Sequence, residues 1–169
     1  MNTKALGSAM FVLVVSVNYN MAMEPETRSA SAASPSQAIN VKSADMKWER
    51  IFPEFGARSS EIAVLHVDPK TQATQLMIRV PANSHVPKHW HTANETHTVV
   101  SGTFIIECDG KREVLTTGSF NYVPSKMTHE AWTTPEKGAV LFITVDAGWD
   151  INWVNGLPKS ADIVGGRRR

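Results

Sequence analysis

The chain has little of what usually staples a small exported domain: in 169 residues there is one cysteine, Cys108. A lone thiol closes no intramolecular disulfide, and it excludes both a disulfide framework and a Cys-rich zinc site. Metal ligands, if there are any, must be histidines and carboxylates. An excess of charge of one sign is also missing, with 17 Lys and Arg against 16 Asp and Glu. That balance removes the electrostatic ground for expecting nucleic acid or an anionic membrane surface as partner. The one basic cluster, Arg167-Arg168-Arg169 after Gly165-Gly166, reads as a solvated tail. Sustained helical periodicity is absent beyond the N-terminal region, and no segment repeats another, which excludes a duplicated two-barrel architecture.

Long apolar runs are confined to residues 5–17, which contain Phe11-Val12-Leu13-Val14-Val15 and follow Lys4. This is the length and polarity of a secretory signal peptide, and it is too short to span a bilayer. Ala22 suits a cleavage point, although Asn20 stands two before it where a small apolar residue is usual. Residues 24–43 are rich in Ser, Ala and Pro and read as a linker. The expected organisation is a signal peptide over 1–22, a disordered linker over 23–43, one folded domain over 44–158 and a tail over 159–169. The protein is then secreted or periplasmic, with no membrane contact once the signal is removed.

What is present from Trp48 onward is an all-β rhythm: short β-branched and aromatic runs separated by turn residues. Strands are expected over 61–67, 72–80, 97–101, 103–108, 112–115, 119–123, 130–133 and 140–145. Turns are expected at Asp68-Pro69, Ser101-Gly102, Asp109-Gly110, Thr116-Thr117-Gly118, Pro124-Ser125 and Glu136-Lys137-Gly138. Asp109-Gly110 is a hairpin signal, because both central residues of a type I′ turn need positive φ. Cys108, at the end of an apolar run, reads as a small buried hydrophobe rather than a reactive thiol. Many short strands at regular spacing indicate a sandwich or barrel, the jelly roll among them.

Four polar residues make a constellation. His89 and His91 are two apart, so on extended chain both imidazoles point to one side. Glu95 follows after enough residues for the chain to turn back, and its carboxylate offers a third ligand and part of the charge balance of a dication. His129 lies on a later strand and approaches from across the barrel. His97, two beyond Glu95, faces the same interior on a regular strand, where it orients a ligand, binds substrate or moves a proton; the alternative is a core side chain satisfied by a neighbour. General acid or base work is assigned to His97 or Tyr122. Tyr122, Phe104, Trp132 and Met77 are pocket-lining candidates, with core packing the plainer reading of each. His85 and His66 read as structural. Trp149 and Trp153 fit a final strand, serving an interface or the core.

The spacing resembles that of the cupins. Their first motif, a His-x-His pair, three or four residues, Glu, six residues and Gly, is matched by His89, His91, Glu95 and Gly102. Upstream, the family's Gly six residues before the first His is replaced by Asn83. In the second motif Gly118, Pro124 and His129 match, while Lys126 stands for a Gly and Thr133 for an Asn. The resemblance implies a single jelly-roll β-barrel holding one divalent transition metal on His89, His91, Glu95 and His129. Iron or manganese is expected, with zinc, nickel, copper or cobalt as alternatives. Small one-barrel cupin dioxygenases have this length and ligand set, so the implied function is an exported oxygenase acting on a small oxygenated organic molecule. Two alternatives stay open: a non-redox lyase or isomerase, against which counts that only Arg79 and Lys88 lie near the motif as basic residues, and a non-catalytic metal- or ligand-binding module. By the same analogy the barrel is expected to form a homodimer.

Overall fold

The computed structural model describes residues 37–164. The expected signal peptide, most of the expected linker and the terminal arginines lie outside them. The chain divides into two units, Met1–Asn40 and Val41–Arg169. Of the first, only residues 37–40 are described, and they are exposed and without regular structure. The second carries ten strands: β1 (Glu49–Arg50), β2 (Glu61–Val67), β3 (Thr74–Val80), β4 (His85–Trp90), β5 (Glu95–Cys108), β6 (Lys111–Thr116), β7 (Phe120–Val123), β8 (His129–Thr133), β9 (Ala139–Val145) and β10 (Asn152–Trp153). None of the described residues forms a helix long and apolar enough to cross a membrane.

All pairings are antiparallel, in the order β1-β2-β3-β9-β5-β8-β4-β10, with β6 and β7 also on β5. The sheet curls into a barrel, and β5 is the strand that turns it. Residues 95–102 of β5 pair with β7 and β9, whereas residues 103–108 pair with β6 and β8. Its inward row is Glu95, His97 and Val99, then shifts parity to Phe104 and Ile106. A bulge at Val99/Ser101 and the left-handed backbone of Gly102, at φ 85°, take up the odd residue. Only glycine suits this bend: a Cβ there would sit 2.0 Å from the Gly138 carbonyl oxygen. The core follows from strand alternation: Leu76, Ile78 and Val80 of β3 lie beside Leu141, Ile143 and Val145 of the adjacent β9, and they form one cluster with Phe104 and Ile106 of β5 and Ala131 of β8.

Three local expectations are revised. First, 97–101 and 103–108 are one strand, since Ser101-Gly102 bends the chain without ending its pairing. Second, β4 was not among the expected strands because Pro87 interrupts it. The ladder with β8 is already broken by a bulge between Val86 and His89, so the missing N–H is not needed there. Third, the expected tail is partly folded: Ser84 bridges Val164, the His85 N–H donates to the Ile163 carbonyl, and Ile163 is buried. The Asp109-Gly110 hairpin forms as expected, with φ of 49° and 74°. Asn83 and Lys126, which stand where cupin motifs have glycine, also adopt positive φ, 54° and 63°. The loop conformation is kept although the residue that most easily adopts it is not.

Gly102 and Gly110 therefore predict unequal responses to the same change. Gly110 has open space around it, so Gly110→Ala should cost only the left-handed backbone penalty, about 1 kcal/mol. Gly102→Ala adds a backbone collision and should cost at least about 3 kcal/mol. Urea unfolding of both variants measures the difference, and equal costs would contradict the hinge assignment.

Candidate metal centre

Pairing brings the ligand candidates to one end of the barrel. His129 opens β8 directly opposite His89 near the end of β4 and opposite Cys108 of β5. His91 lies just beyond β4, and Glu95 and His97 start β5. The His89 and His129 ring centroids are 4.2 Å apart, His89 and His91 5.0 Å, His91 and His129 5.3 Å. One ring nitrogen from each of these three histidines lies within 4.8 Å of the others, and all three residues are buried.

Each of the three imidazoles has its Nδ1 committed to a backbone carbonyl. His89 bonds Pro87 at 2.7 Å, His129 bonds Met127 at 3.1 Å, and His91 bonds Asp150 in a short contact. A carbonyl only accepts, so Nδ1 carries the proton and the Nε2 lone pair is left for another partner. The sequence supplies this locally for His89 and His129, whose acceptors are two residues upstream. His91 relies instead on the stretch after β9, and the Asp150 carboxylate reinforces it by accepting from the Thr92 N–H at 2.8 Å and the Thr92 hydroxyl at 2.6 Å.

Glu95 is 1% exposed. Its Oε1 accepts from the Trp149 indole at 3.1 Å. Its Oε2 is buried without a directed hydrogen bond, although it lies 3.1 Å from His91 Nε2, 3.2 Å from His97 Nε2 and 4.0 Å from His129 Nε2. A carboxylate oxygen in that position, beside imidazoles whose Nδ1 atoms already face carbonyls, is the donor chemistry of a borderline divalent cation. His89, His91 and His129, with Glu95 Oε2 beside them, are the residues that would hold it.

The titration of the cluster follows the same geometry. Burial pulls His89 well below the usual imidazole value, helped by the neighbouring His129 and His91. Burial likewise lowers His129, to about 4. Burial also opposes charge on His91, but contact with Glu95, the charge of Glu95 and the Asp150 carbonyl outweigh it, so His91 is raised. For Glu95 burial favours the neutral acid, yet His97 and His91 outweigh it and hold the carboxyl well below its usual range. In the metal-free protein His91 therefore holds a proton to higher pH than a free imidazole does, and within that range a cation would have to displace it.

His97 is buried beside this group, with Nδ1 2.8 Å from Asn121 Oδ1 and its ring against Phe104. Tyr122 is not brought to the site. On β7 the alternation turns Asn121 and Val123 inward and Tyr122 outward, leaving it 53% exposed with its hydroxyl donating to Asn94 Oδ1 at 2.9 Å. Of the other aromatic and Met candidates, Phe104 borders the cavity, whereas Trp132 stacks on His85. His85 also borders the cavity, held by Glu130 Oε2 and the Asp162 carbonyl, both at 2.9 Å. His66 pairs with Gln75 on β2 and β3. Trp149 precedes β10 and supports Glu95, and Trp153 lies 5.3 Å from the His89 ring. Neither role has a spacing signal, since both partners are more than fifty residues upstream.

Residues 36–147 match the family described as the ChrR Cupin-like domain. No curated protein matches the chain. Among solved structures, the polyketide cyclase RemF from Streptomyces resistomycificus is similar at TM-score 0.60 and 19% identity, over 75% of this chain and 91% of that one. An RmlC-like cupin from Shewanella frigidimarina is similar at TM-score 0.54 and 23% identity, over 65% and 90%. The DMSP lyase DddQ from Ruegeria pomeroyi is similar at TM-score 0.58 and 14% identity, over 75% of each chain. At these identities the likeness establishes the fold.

Two outcomes follow for metal binding. His129→Ala should weaken divalent-metal affinity by at least about a hundredfold, measured by competition with a chromogenic chelator; unchanged affinity would refute the assignment. Because His91 is raised and must lose its proton to the metal, affinity should climb as pH rises through its range and level off above it. As pH falls toward about 4 a second proton, on His129, competes and the slope steepens. The same chelator titration repeated across pH reads this, and a flat profile through the acid range would contradict it.

Proposed function

The chain belongs to the ChrR-like cupin family, and from that premise we propose that it is an exported, metal-dependent enzyme, an oxygenase acting on a small oxygenated organic molecule. The observation that carries the metal dependence is the buried trio of His89, His91 and His129, with ring nitrogens within 4.8 Å and each Nδ1 already spent on a carbonyl. Bound there, iron or manganese would supply redox chemistry toward dioxygen and an oxygen-bearing substrate.

The chain's own residues do the rest. A cavity of about 70 Å³ adjoins the cluster and is lined by side chains such as Ile78, Phe104, Leu141 and Ile143. Such a lining favours dioxygen and an apolar substrate body over water, and it strengthens every polar contact inside. His97 Nε2, 3.2 Å from Glu95 Oε2, is the group that takes or returns a proton at the substrate's hydroxyl or enol. The non-redox lyase or isomerase remains the second reading. Arg79 and Lys88 do not support it, since Arg79 pairs with Glu61 at 3.0 Å over the Trp48 ring, Lys88 faces Glu130 at 3.8 Å, and neither borders the cavity. Export is supported by the apolar run over residues 5–17. A homodimer is supported by the outward Phe120 and Tyr122 of β7, 62% and 53% exposed.

Metal analysis of the purified protein, followed by oxygen-electrode assays with diketones, catechols and thiols, tests the reading. One redox-active metal per chain and oxygen uptake with at least one class is the expected result. Tightly held zinc with no uptake from any class would overturn it in favour of Lewis-acid chemistry.

A further inference from the structure

The cavity wall carries one Lys or Arg among the described residues, Arg58. It ends the 3-10 segment Pro53–Arg58, which lies between β1 and β2. The segment is tied down at both ends: the Phe52 N–H donates to Ser59 Oγ at 2.9 Å and the Ile51 N–H to the Ser60 carbonyl at 2.9 Å. Phe52 packs on Trp153 at 5.8 Å, and Trp153 lies against His89. Arg58 thus sits on a fixed flap that adjoins the histidine end of the barrel.

Of the other described arginines, Arg50 is exposed on β1 and does not border the cavity, and Arg79 and Arg112 are occupied. Arg79 has Glu61 and Trp48, and Arg112 has Glu107 and the Trp132 ring. The Arg58 side chain is exposed and makes no hydrogen bond, ion pair or ring contact with the described residues. No acidic side chain of the wall other than Glu95 is available to it, and Glu95 is already enclosed by His91, His97 and Trp149. A guanidinium on a largely apolar wall, left unpaired by the protein, matches the planar two-oxygen geometry of a carboxylate.

We propose that the substrate is a small organic carboxylate, whose acid group is bound by Arg58 while its apolar body lies against the cavity wall toward the histidine cluster. This deepens the functional reading above and rests on it in one respect, that the cavity is where the substrate binds. It holds whichever metal the cluster takes, and for either oxygenase or lyase chemistry.

The test compares butanoate with butanamide and benzoate with benzamide, by calorimetry, on wild type, Arg58→Ala, Arg58→Gln and Arg58→Lys. Each protein is measured metal-loaded and after chelation, with metal content and thermal midpoint recorded. Wild type should prefer acid over amide by about tenfold, the scale of one charge-assisted contact in partial solvent. Arg58→Ala and Arg58→Gln should bring acid and amide to within about twofold, with Arg58→Lys intermediate, at unchanged midpoint and metal content. Because the arginine-dependent part persists in chelated protein, it is readable even where the oxygenase reading fails. An acid preference undiminished in Arg58→Ala would assign the carboxylate to the metal, and equal or absent binding of acid and amide by wild type would exclude an acid substrate; either overturns the proposal.

Discussion

A carboxylate buried to 1% exposure is the constraint around which this barrel is organised. Taking Glu95 out of water costs several kcal/mol unless positive charge and hydrogen-bond donors meet it. Trp149 meets one oxygen, and His91 and His97 approach the other without directing a hydrogen bond at it. The raised His91 offsets that charge over part of the pH range, and a divalent cation held by His89, His91 and His129 beside Glu95 Oε2 would offset it more fully. The carbonyls of Pro87, Met127 and Asp150 make this possible by holding the rings in the tautomer that leaves Nε2 free.

The fold serves that arrangement through β5. One strand carries Glu95 and His97 into the site with its first half and builds the opposite sheet with its second. The change of sheet is possible because Gly102 bends where any Cβ would strike the Gly138 carbonyl. β8 then lies between β5 and β4, so the register that seats the core also sets His129 against His89. A shift of one residue in the β4–β8 ladder would take His129 out of register with His89.

Much of this was legible in the sequence because it is encoded locally. Period-two alternation located most strands, Asp109-Gly110 located its hairpin, and the spacing of His89, His91, Glu95 and His129 located the polar end of the barrel. Asn83 and Lys126 looked like departures from the cupin pattern. Asn tolerates positive φ, and the Lys126 N–H donates to the His91 carbonyl at 2.8 Å, so both positions take a glycine-like backbone. What could not be read was non-local. The outward side of Tyr122 was not legible because facing depends on register, and the outward side of β7 is set by its pairing with β5. Trp149, Asp150 and Arg58 reach the site from stretches with no motif of their own. β4 was hidden by Pro87, whose placement at a bulge is a property of the pairing rather than of the residue.

X-ray absorption at the metal edge of the purified protein would read whether His89, His91, His129 and Glu95 share one ion. The predicted result is one metal per chain with a shell of nitrogen and oxygen at about 2.0–2.2 Å and the outer scattering of three imidazoles. In His129→Ala any residual metal should show the scattering of only two. A protein without bound metal, or a first shell with sulfur or fewer than two imidazoles in the wild type, would contradict it.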